Sequence, residues 1–430
     1  MTTTTNDSLK NLRLWVGVHA LRTVPPSRLN RGEDGSPKTA HLGGVDRLRW
    51  SSQAQKRHWR MAFPALLRDD ADRLGVRTRE LPTMVRAALA EAGVRADVAD
   101  GMTELLQTFG RAESTASNGE GTGQTATLLF LSHDEIQAAL DFAKKHADAL
   151  VLVAPPLVTT ASPEGTAPAK GRKKVPKTEG AFDRDAELAK LRKQYTAFLE
   201  ERGARTAVDV AMFGRFLPTE EIPSVDACVQ VAHAIGTGRH VLDYDYFTAV
   251  DDRAQGAKAG HLGELDLAAG TLYQHVVIDV ASLARALGDP ALARRGVGAL
   301  LGAIALVTPT GGANGTAPTT PADYLDVEVR TQPPLNAAPA FDRPIRPTAD
   351  AGVLDLSIAA LRERLARVAA AYDAPSTTRL RTHLTLRAET PADALAKGER
   401  PAHSLDALLA HVDLALALAL DPTRTPAETP

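Results

Sequence analysis

The pattern of apolar and polar positions near the amino end predicts a β-strand. Every second residue from Leu12 to Ala20 is apolar, whereas the positions between them include Arg13 and His19. Strict alternation turns one face of a strand to a core and the other to solvent, so this strand should be half-buried. Residues 25–44 have the proline and glycine content of a loop. Further strands are predicted at residues 47–50, 208–216, 272–279 and 324–330.

Capping signals and helical periodicity mark several helices. Ser52 and Gln55 have capping-box spacing, which predicts a helix that begins near Ser52. Asp289 followed by a proline predicts another helix that extends to about Val307. Ser224 is expected to cap a helix over residues 225–235, with the single cysteine, Cys228, as a buried thiol on its apolar face. The remaining predicted helices cover residues 79–92, 133–150, 183–199, 357–372 and 404–418.

Residues 240–270 combine aromatic, acidic and glycine positions in the way of an extended hairpin. Four acids there, at positions 243, 245, 251 and 252, are the only candidates for a two-metal site for phosphodiester cleavage, and solvation of a hairpin rim explains them equally well. The glycine-rich residues 311–316 lack the Lys-Ser/Thr of a phosphate-binding loop, which argues against nucleotide hydrolysis. We therefore expect no metal and no cofactor.

Composition describes a globular chain without a strong overall charge. The 430 residues are 44% hydrophobic and 24% charged, with a formal net charge of -2, which argues against a disordered or wholly cationic protein. One cysteine excludes an internal disulfide and fits a reducing cytoplasm. No secretion signal is recognised at the amino end, and the apolar run at 411–420 is too short for a membrane span.

The charges are unevenly distributed along the chain. Residues 1–60 hold 11 Lys and Arg but only 4 Asp and Glu, and all three tryptophans, Trp15, Trp50 and Trp59, lie there. Cations interleaved with aromatic residues are typical of a surface that binds phosphates and bases. Alternatively, the tryptophans anchor a core and the charges form a solvated face.

One predicted helix face concentrates phosphate-binding chemistry. Gln53, Lys56, Arg57 and Arg60 follow the i, i+3, i+4, i+7 spacing, which places an amide and three cations together. They lie near a helix amino terminus, where free N–H groups favour anions. This arrangement suits an RNA or DNA backbone, although basic helix faces are often only solvated.

A second group of cations lies in the middle of the chain. Eight of the thirteen lysines fall within fifty residues, around a Pro-, Thr- and Ala-rich stretch at 155–180 that is expected to be a mobile loop. Such a loop either contacts nucleic acid non-specifically or serves as a solubilising linker. The lysines that would make weak DNA contacts are Lys170, Lys173, Lys174 and Lys177.

Three blocks of sequence occur in an order that matches one family. The first runs from Ser27 to Arg57, the second covers 208–215 and continues to 235, and the third runs from 246 to 273. Together they resemble the repeated, CasC-type backbone subunit of the type I-E CRISPR surveillance complex, Cascade. The resemblance covers roughly residues 12 to 280.

The resemblance implies an α+β fold shaped like a hand. A modified RRM-like, ferredoxin-type palm would comprise residues 1–61, 201–239 and 271–430. A helical fingers lobe would be inserted at 62–200, and a β-hairpin thumb would cover 240–270.

The resemblance also implies which residues contact guide RNA. Phosphate contacts would come from Arg31, Lys38, Ser51, Gln53, Lys56, Arg57 and Arg60, and wedge contacts beside displaced bases from Phe216, Tyr246, Phe247 and Thr248. The family has Trp where this chain has Tyr246, so Phe247 is the alternative stacking residue.

The function implied is that of a non-catalytic RNA-binding subunit that polymerises along the crRNA and presents it for pairing with target DNA in antiviral defence. Its partners would be the guide crRNA, copies of itself, other Cascade subunits and target DNA, with a separate helicase-nuclease recruited to the complex, and no membrane. One alternative is a metal-dependent endoribonuclease like the type III backbone subunits, because Glu33 and Asp34 lie on a comparable loop. Another is a basic RNA-binding protein that stays monomeric.

Overall fold

The computed structural model describes residues 9–109, 124–125, 127–155, 182–203, 206–216, 222–250, 259–374, 376–387 and 399–421. The chain divides into two compact units. The first unit comprises residues 1–74, 211–213 and 227–430, and the second comprises residues 75–210 and 214–226. The finer division into palm, fingers and thumb stays a prediction, because compactness alone does not define those functional lobes.

Antiparallel strand pairs dominate the first unit. The strands are β1 (Trp15–Ser27), β2 (Thr39–Leu42), β3 (Val45–Trp50), β4 (Val76–Thr78), β5 (Leu129–Leu131), β6 (Val229–Val231), β7 (Ala234–Gly236), β8 (Asp243–Val250), β9 (Ala259–Asp279), β10 (Tyr324–Arg330), β11 (Thr378–Thr385) and β12 (Glu399–Pro401). The large sheet has the order β12-β11-β10-β1-β9-β7-β3-β2, with β6 and β8 also paired to β9. In the second unit, β4 pairs with β5.

Helices cover the sheet of the first unit and form most of the second. Both units are therefore consistent with the predicted α+β class. The helices are α1 (Ser52–Leu66), α2 (Leu81–Glu91), α3 (Ala96–Gln107), α4 (His133–Lys145), α5 (Ala147–Val153), α6 (Arg184–Arg202), α7 (Val208–Phe213), α8 (Val280–Leu287), α9 (Pro290–Leu306), α10 (Ala313–Thr316), α11 (Val353–Tyr372) and α12 (Leu405–Leu420), with 3-10 turns at Arg68–Arg73 and Ala338–Phe341.

Strand β1 forms the centre of the sheet, and the prediction that it is half-buried is wrong. It pairs with both β9 and β10, and Val18 and His19 on opposite faces are both fully buried. The cause is a second covering layer, since α11 and the 3-10 turn before it pack over the face that carries Leu21 and Tyr273. His19 is accommodated there because its Nδ1 lies 2.8 Å from the hydroxyl of Tyr273.

Several predicted elements are confirmed where a strong local signal exists. Helix α9 begins after Asp289, whose carboxylate accepts a hydrogen bond from the N–H of Leu292 at 3.0 Å. The predicted strands at 47–50, 272–279 and 324–330 lie within β3, β9 and β10. The predicted loop at 25–44 is partly wrong, because β1 continues to Ser27 and β2 begins at Thr39.

The second unit has its own apolar core among α2 to α6. Leu81, Phe142 and Tyr195 belong to one buried cluster. The predicted helix at 133–150 is divided at His146, which separates α4 from α5. Helix α4 has a complete capping box, in which Ser132 and Glu135 each bind the other's backbone N–H.

Two predicted elements near the middle of the chain are wrong. Residues 208–213 form helix α7 instead of a strand, and the carboxylate of Asp209 accepts a hydrogen bond from the N–H of Gly75 at 2.7 Å. Residues 225–235 form no helix but contribute β6 and β7, which pair with β9. Cys228 is buried as expected, yet it precedes a strand and its carbonyl accepts the N–H of Asp279.

The predicted hairpin at 240–270 is present as the antiparallel pair of β8 with the first part of β9. Its register places Tyr246 opposite Glu264 and Phe247 opposite Gly263. Residues 251–258, which include Asp251 and Asp252, lie outside the described residues.

Among the helices that the structure describes, none combines the length and apolar character that a membrane span requires.

Candidate nucleic-acid interface

A capping box at Ser52 would make Ser52 the N-cap and start the helix at position 53, but helix α1 begins at Ser52. Ser51 is the N-cap, and its hydroxyl accepts a hydrogen bond from the N–H of Ala54 at 3.3 Å. Gln55 does not reach back to the cap, because its amide is buried and donates to the carbonyls of Trp50 and Ala232. The predicted start is therefore correct within a residue, but the predicted capping contact is wrong.

The two sides of α1 have opposite characters. Gln55, Trp59 and Phe63 are its buried residues. Among the predicted phosphate-binding residues, Gln53 and Arg57 are exposed, whereas Lys56 and Arg60 are half-buried at the border of this buried side. Trp50 and Trp59 are at most 1% exposed, so they are core residues, whereas Trp15 is half-buried.

The loop that carries Arg31 and Lys38 is fastened to the start of α1. The side-chain oxygen of Asn30 accepts a hydrogen bond from the N–H of Ser51 at 2.9 Å. Its backbone oxygen accepts the N–H of Lys38 at 2.8 Å, and Arg31 forms a bridge with Pro37. The structure therefore brings the loop cations and the helix amino terminus into one region, which we call the ridge: Arg31, Lys38, Ser51, Gln53, Lys56, Arg57 and Arg60.

Beside the ridge lies an open cavity of about 530 Å³. Its walls come from the 28–35 loop, from His58 on α1 and from the glycine-rich segment at Thr310 and Gly311. Gly311 fits closely, since a β-carbon there would lie 2.6 Å from the backbone oxygen of Arg28. The glycine-rich segment therefore forms one wall of the cavity beside the ridge.

Lys56 is held against an aromatic ring. Its Nζ lies 5.9 Å from the ring centroid of Phe213, and that ring stacks on Phe63 with a 6.0 Å separation. A cation above an aromatic face is attracted to the ring's electron density. Burial lowers the pKa of Lys56 from its ordinary value. A phosphate that replaced the lost hydration would therefore favour the charged ammonium.

The predicted wedge residues are exposed, on two different units. Phe216 belongs to the second unit and is 87% exposed. Tyr246 is 64% exposed and Phe247 38% exposed on β8, with Thr248 also exposed. The ring of Phe247 lies over Gly263: a β-carbon at position 263 would be 2.4 Å from that ring and would force it to move.

The hairpin and the ridge loop are connected within the first unit. The hydroxyl of Ser36 donates to the carboxylate of Asp266 on β9 at 2.5 Å. The loop between Arg31 and Lys38 is thereby attached to the base of the hairpin as well as to α1.

Arg215 has a structural role that the sequence motif did not reveal. Its guanidinium forms two hydrogen bonds with the carboxylate of Glu135, at 2.7 and 2.8 Å, and donates to the carbonyls of Phe130 and Pro223. It is 6% exposed, so it organises the second unit and leaves the adjacent Phe216 at the surface.

The lysines predicted to contact DNA, at 170, 173, 174 and 177, lie outside the described residues.

Within the described ranges, no three His, Cys, Asp or Glu side chains are grouped closely enough to hold a metal ion. Asp34, the candidate for RNA cleavage, is exposed and accepts the N–H of Ser36 at 3.1 Å.

Comparison with known proteins assigns the family. A model described as CT1975-like protein matches residues 16–411. The chain belongs to the CT1975-like family. One solved structure similar to this CT1975-like chain is titled "CRISPR RNA-guided surveillance complex, pre-nicking"; its TM-score is 0.69 and its identity 29%, over 93% of this chain and 100% of the other. Another, "CRISPR RNA-guided surveillance complex", has a TM-score of 0.62 and 25% identity, over 94% and 99%. No curated protein matches the chain.

Proposed function

We propose that this CT1975-like chain is a crRNA-binding backbone subunit of a CRISPR RNA-guided surveillance complex of type I-E, Cascade. Copies of it would polymerise along the guide in the cytoplasm and present the guide for pairing with target DNA. The proposal is supported by the family match and by similarity to solved surveillance-complex chains over nearly their whole length.

The observation that carries the proposal is the ridge itself. Two loop cations lie on the segment that Asn30 ties to the N-cap of α1, where free N–H groups favour an anion. An amide and three cations follow along the first three turns of the helix at the spacing of one face. These groups suit phosphate oxygens, which carry no sequence information. A grip of this kind permits any guide sequence, and recognition of the target is then left to base pairing.

The exposed aromatic residues fit a second part of this role. Tyr246 and Phe247 on the hairpin, and Phe216 on the second unit, offer ring faces on which bases can stack. In the proposed filament they contact nucleotides beside displaced bases. Other Cascade subunits would complete the complex, and a recruited helicase-nuclease would cut the DNA.

Purification with co-expressed guide RNA tests the proposal. The expected result is a complex with high absorbance at 260 nm relative to 280 nm. Its nucleic acid should be destroyed by RNase, resist DNase and have a uniform length. A monomeric protein free of nucleic acid would contradict the proposal, and a monomer that binds RNA would favour the stand-alone RNA-binding alternative.

The proposed role is non-catalytic, in contrast to the metal-dependent endoribonuclease alternative. The test is incubation of the assembled complex with complementary RNA and Mg²⁺ or Mn²⁺. Intact RNA is expected. Cleavage that disappears in Asp34→Ala would instead establish the endoribonuclease.

A further inference from the structure

Three basic residues, Lys38, Arg49 and His233, lie together at the sheet end of the ridge. Arg49 on β3 donates from its Nε to the carbonyl of Thr39 at 3.0 Å, and its Nη1 lies 2.9 Å from Nδ1 of His233. The N–H of Arg49 donates to the backbone oxygen of Lys38. His233 is distant from Lys38 and Arg49 in the sequence but meets Arg49 within the first unit.

The cluster lies next to α1 through the backbone that precedes His233. The buried amide of Gln55 donates to the carbonyl of Ala232 at 2.9 Å, and Trp50 pairs with Ala234. His233 therefore directly follows Ala232, whose carbonyl accepts the hydrogen bond from Gln55 on α1. An RNA strand bound to the ridge would therefore pass close to this cluster.

No carboxylate neutralises the cluster within the described part of the chain. Other cations of the first unit do have such partners: Arg330 pairs with Glu328 and Asp373, and Arg381 pairs with Asp326. Lys38 and Arg49 are half-buried and His233 is exposed, so all three are accessible to a ligand. Uncompensated cations on one accessible surface favour an anionic ligand.

The hydrogen bond to Arg49 determines the tautomer of His233. A guanidinium only donates hydrogen bonds, so Nδ1 must be the unprotonated acceptor. The proton of the neutral ring is then on Nε2, which is available as a donor. Burial first, and then the neighbouring Arg49 and Lys38, lower the pKa of His233.

We propose that Lys38, Arg49 and His233 form a further phosphodiester-binding site, in which His233 donates a hydrogen bond from Nε2 to a phosphate oxygen of the RNA. This inference rests on the proposed function, and it adds Arg49 and His233 to the residues that hold the guide. The two charged groups that face His233, Arg49 and Lys38, repel a second proton on its ring in the free protein. A bound phosphate attracts both groups: on binding, the guanidinium of Arg49 turns from Nδ1 to a phosphate oxygen, and Nδ1 of His233 takes up a proton.

Two consequences distinguish this site from an inert surface pair. RNA affinity should rise as the pH falls from 8 toward 6, by up to about tenfold for each unit by which binding raises the pKa of His233. Loss of one phosphate contact should also reduce the slope of log affinity against log salt by about 0.7 for single-stranded RNA.

The experiment measures binding of a mixed-sequence RNA oligonucleotide to the full chain by calorimetry at pH 7, in two buffers with different ionisation enthalpies. His233→Gln keeps an N–H donor but does not titrate, and the exposed His133→Gln of the second unit is its matched control. Proton uptake is expected in the wild type and in His133→Gln, and should be reduced in His233→Gln. Arg49→Gln should lower the salt slope, with Arg367→Gln as its control.

The outcomes separate the two proposals. RNA binding with equal proton uptake by the wild type and His233→Gln, and an equal salt slope for Arg49→Gln, would overturn the new site and leave the proposed function intact. Failure of the wild type to bind RNA would overturn the proposed function and the new site with it. Because His233 is exposed, His233→Gln should fold, which the unfolding curve verifies.

Discussion

The side-chain oxygen of Asn30 lies 2.9 Å from the backbone nitrogen of Ser51 and accepts its hydrogen bond. This single contact joins the loop that carries Arg31 and Lys38 to the N-cap of the helix that carries Lys56. Ser51 uses its hydroxyl to cap α1 and its N–H to hold the loop. The two halves of the ridge are thus positioned before any RNA arrives, which lowers the entropy lost on binding.

Replacement of Asn30 should separate stability from RNA affinity. Asn30→Ala removes the acceptor, so both should fall, with a loss of about 1 kcal/mol in the free energy of unfolding. Asn30→Asp keeps an acceptor and should keep most of the stability. Its negative charge beside the phosphates should still weaken RNA binding. Urea unfolding and RNA titration check the two quantities, and equal RNA affinities for all three proteins would contradict the role of this contact.

The ring of Phe213 should strengthen RNA binding through Lys56. Phe213→Leu removes the aromatic face 5.9 Å from Nζ, and a two- to fivefold loss of RNA affinity is expected, equivalent to about 0.5–1 kcal/mol. Phe213→Tyr retains the ring and should bind RNA like the wild type. The measurement is fluorescence anisotropy with labelled RNA. If Phe213→Leu and Phe213→Tyr bound equally well, the ring would have no such role.

Arg215 should matter for the stability of the second unit rather than for phosphate contacts. Arg215→Lys keeps a cation near Glu135 but loses the planar fork of guanidinium donors, so hydrogen bonds to Glu135, Phe130 or Pro223 are lost, which should cost about 1–3 kcal/mol. The exposed pair of Arg86 with Asp100 provides the control, since Arg86→Lys should cost less than about 1 kcal/mol. Thermal unfolding measures both variants. A decrease in the salt slope of RNA binding for Arg215→Lys would contradict the structural assignment.

The stability of the first unit should decrease in acid because His275 is buried there. Burial and then the neighbouring His19 lower its pKa to about 3, and its Nδ1 donates to the carbonyl of Val18 at 3.1 Å. The unfolded chain therefore binds the proton more readily, and stability is lost as the pH falls from about 6.5 toward 3, by at most about 1.4 kcal/mol per pH unit.

The test compares urea unfolding of the wild type and His275→Gln between pH 7 and pH 4. The glutamine amide preserves a donor near Val18 but does not titrate, so its stability should decline less steeply with acidification. Parallel stability curves for the two proteins would rule out His275 as the source of acid sensitivity.

Elements with a local signal could be predicted from the sequence. Helix α9 follows from Asp289 and the proline after it, and β1 follows from alternation over residues 12–20. The residues 225–235 were misleading because Cys228, Val231 and Ile235 have helical spacing, whereas β6 and β7 are fixed by pairing with the distant β9. Such pairing overrides local preference and leaves no local trace.

In the candidate site too, local sequence signals predict only part of the arrangement. The common face of Gln53, Lys56 and Arg57 could be predicted, because helical periodicity alone determines it. The contacts of Asn30 with Ser51, Lys56 with Phe213 and Arg49 with His233 could not, because the chain fold brings these partners together.

The most direct measurement is assembly of the chain on guide RNA after charge reversal on α1. Lys56→Glu combined with Arg60→Glu should abolish co-purification of RNA and leave a protein of monomer size, and a cooperative unfolding curve verifies that it is still folded. Arg367→Glu on α11, which reverses an exposed cation away from the ridge, should assemble like the wild type. Normal RNA content and normal particle size in the double variant would contradict a phosphate grip by this ridge.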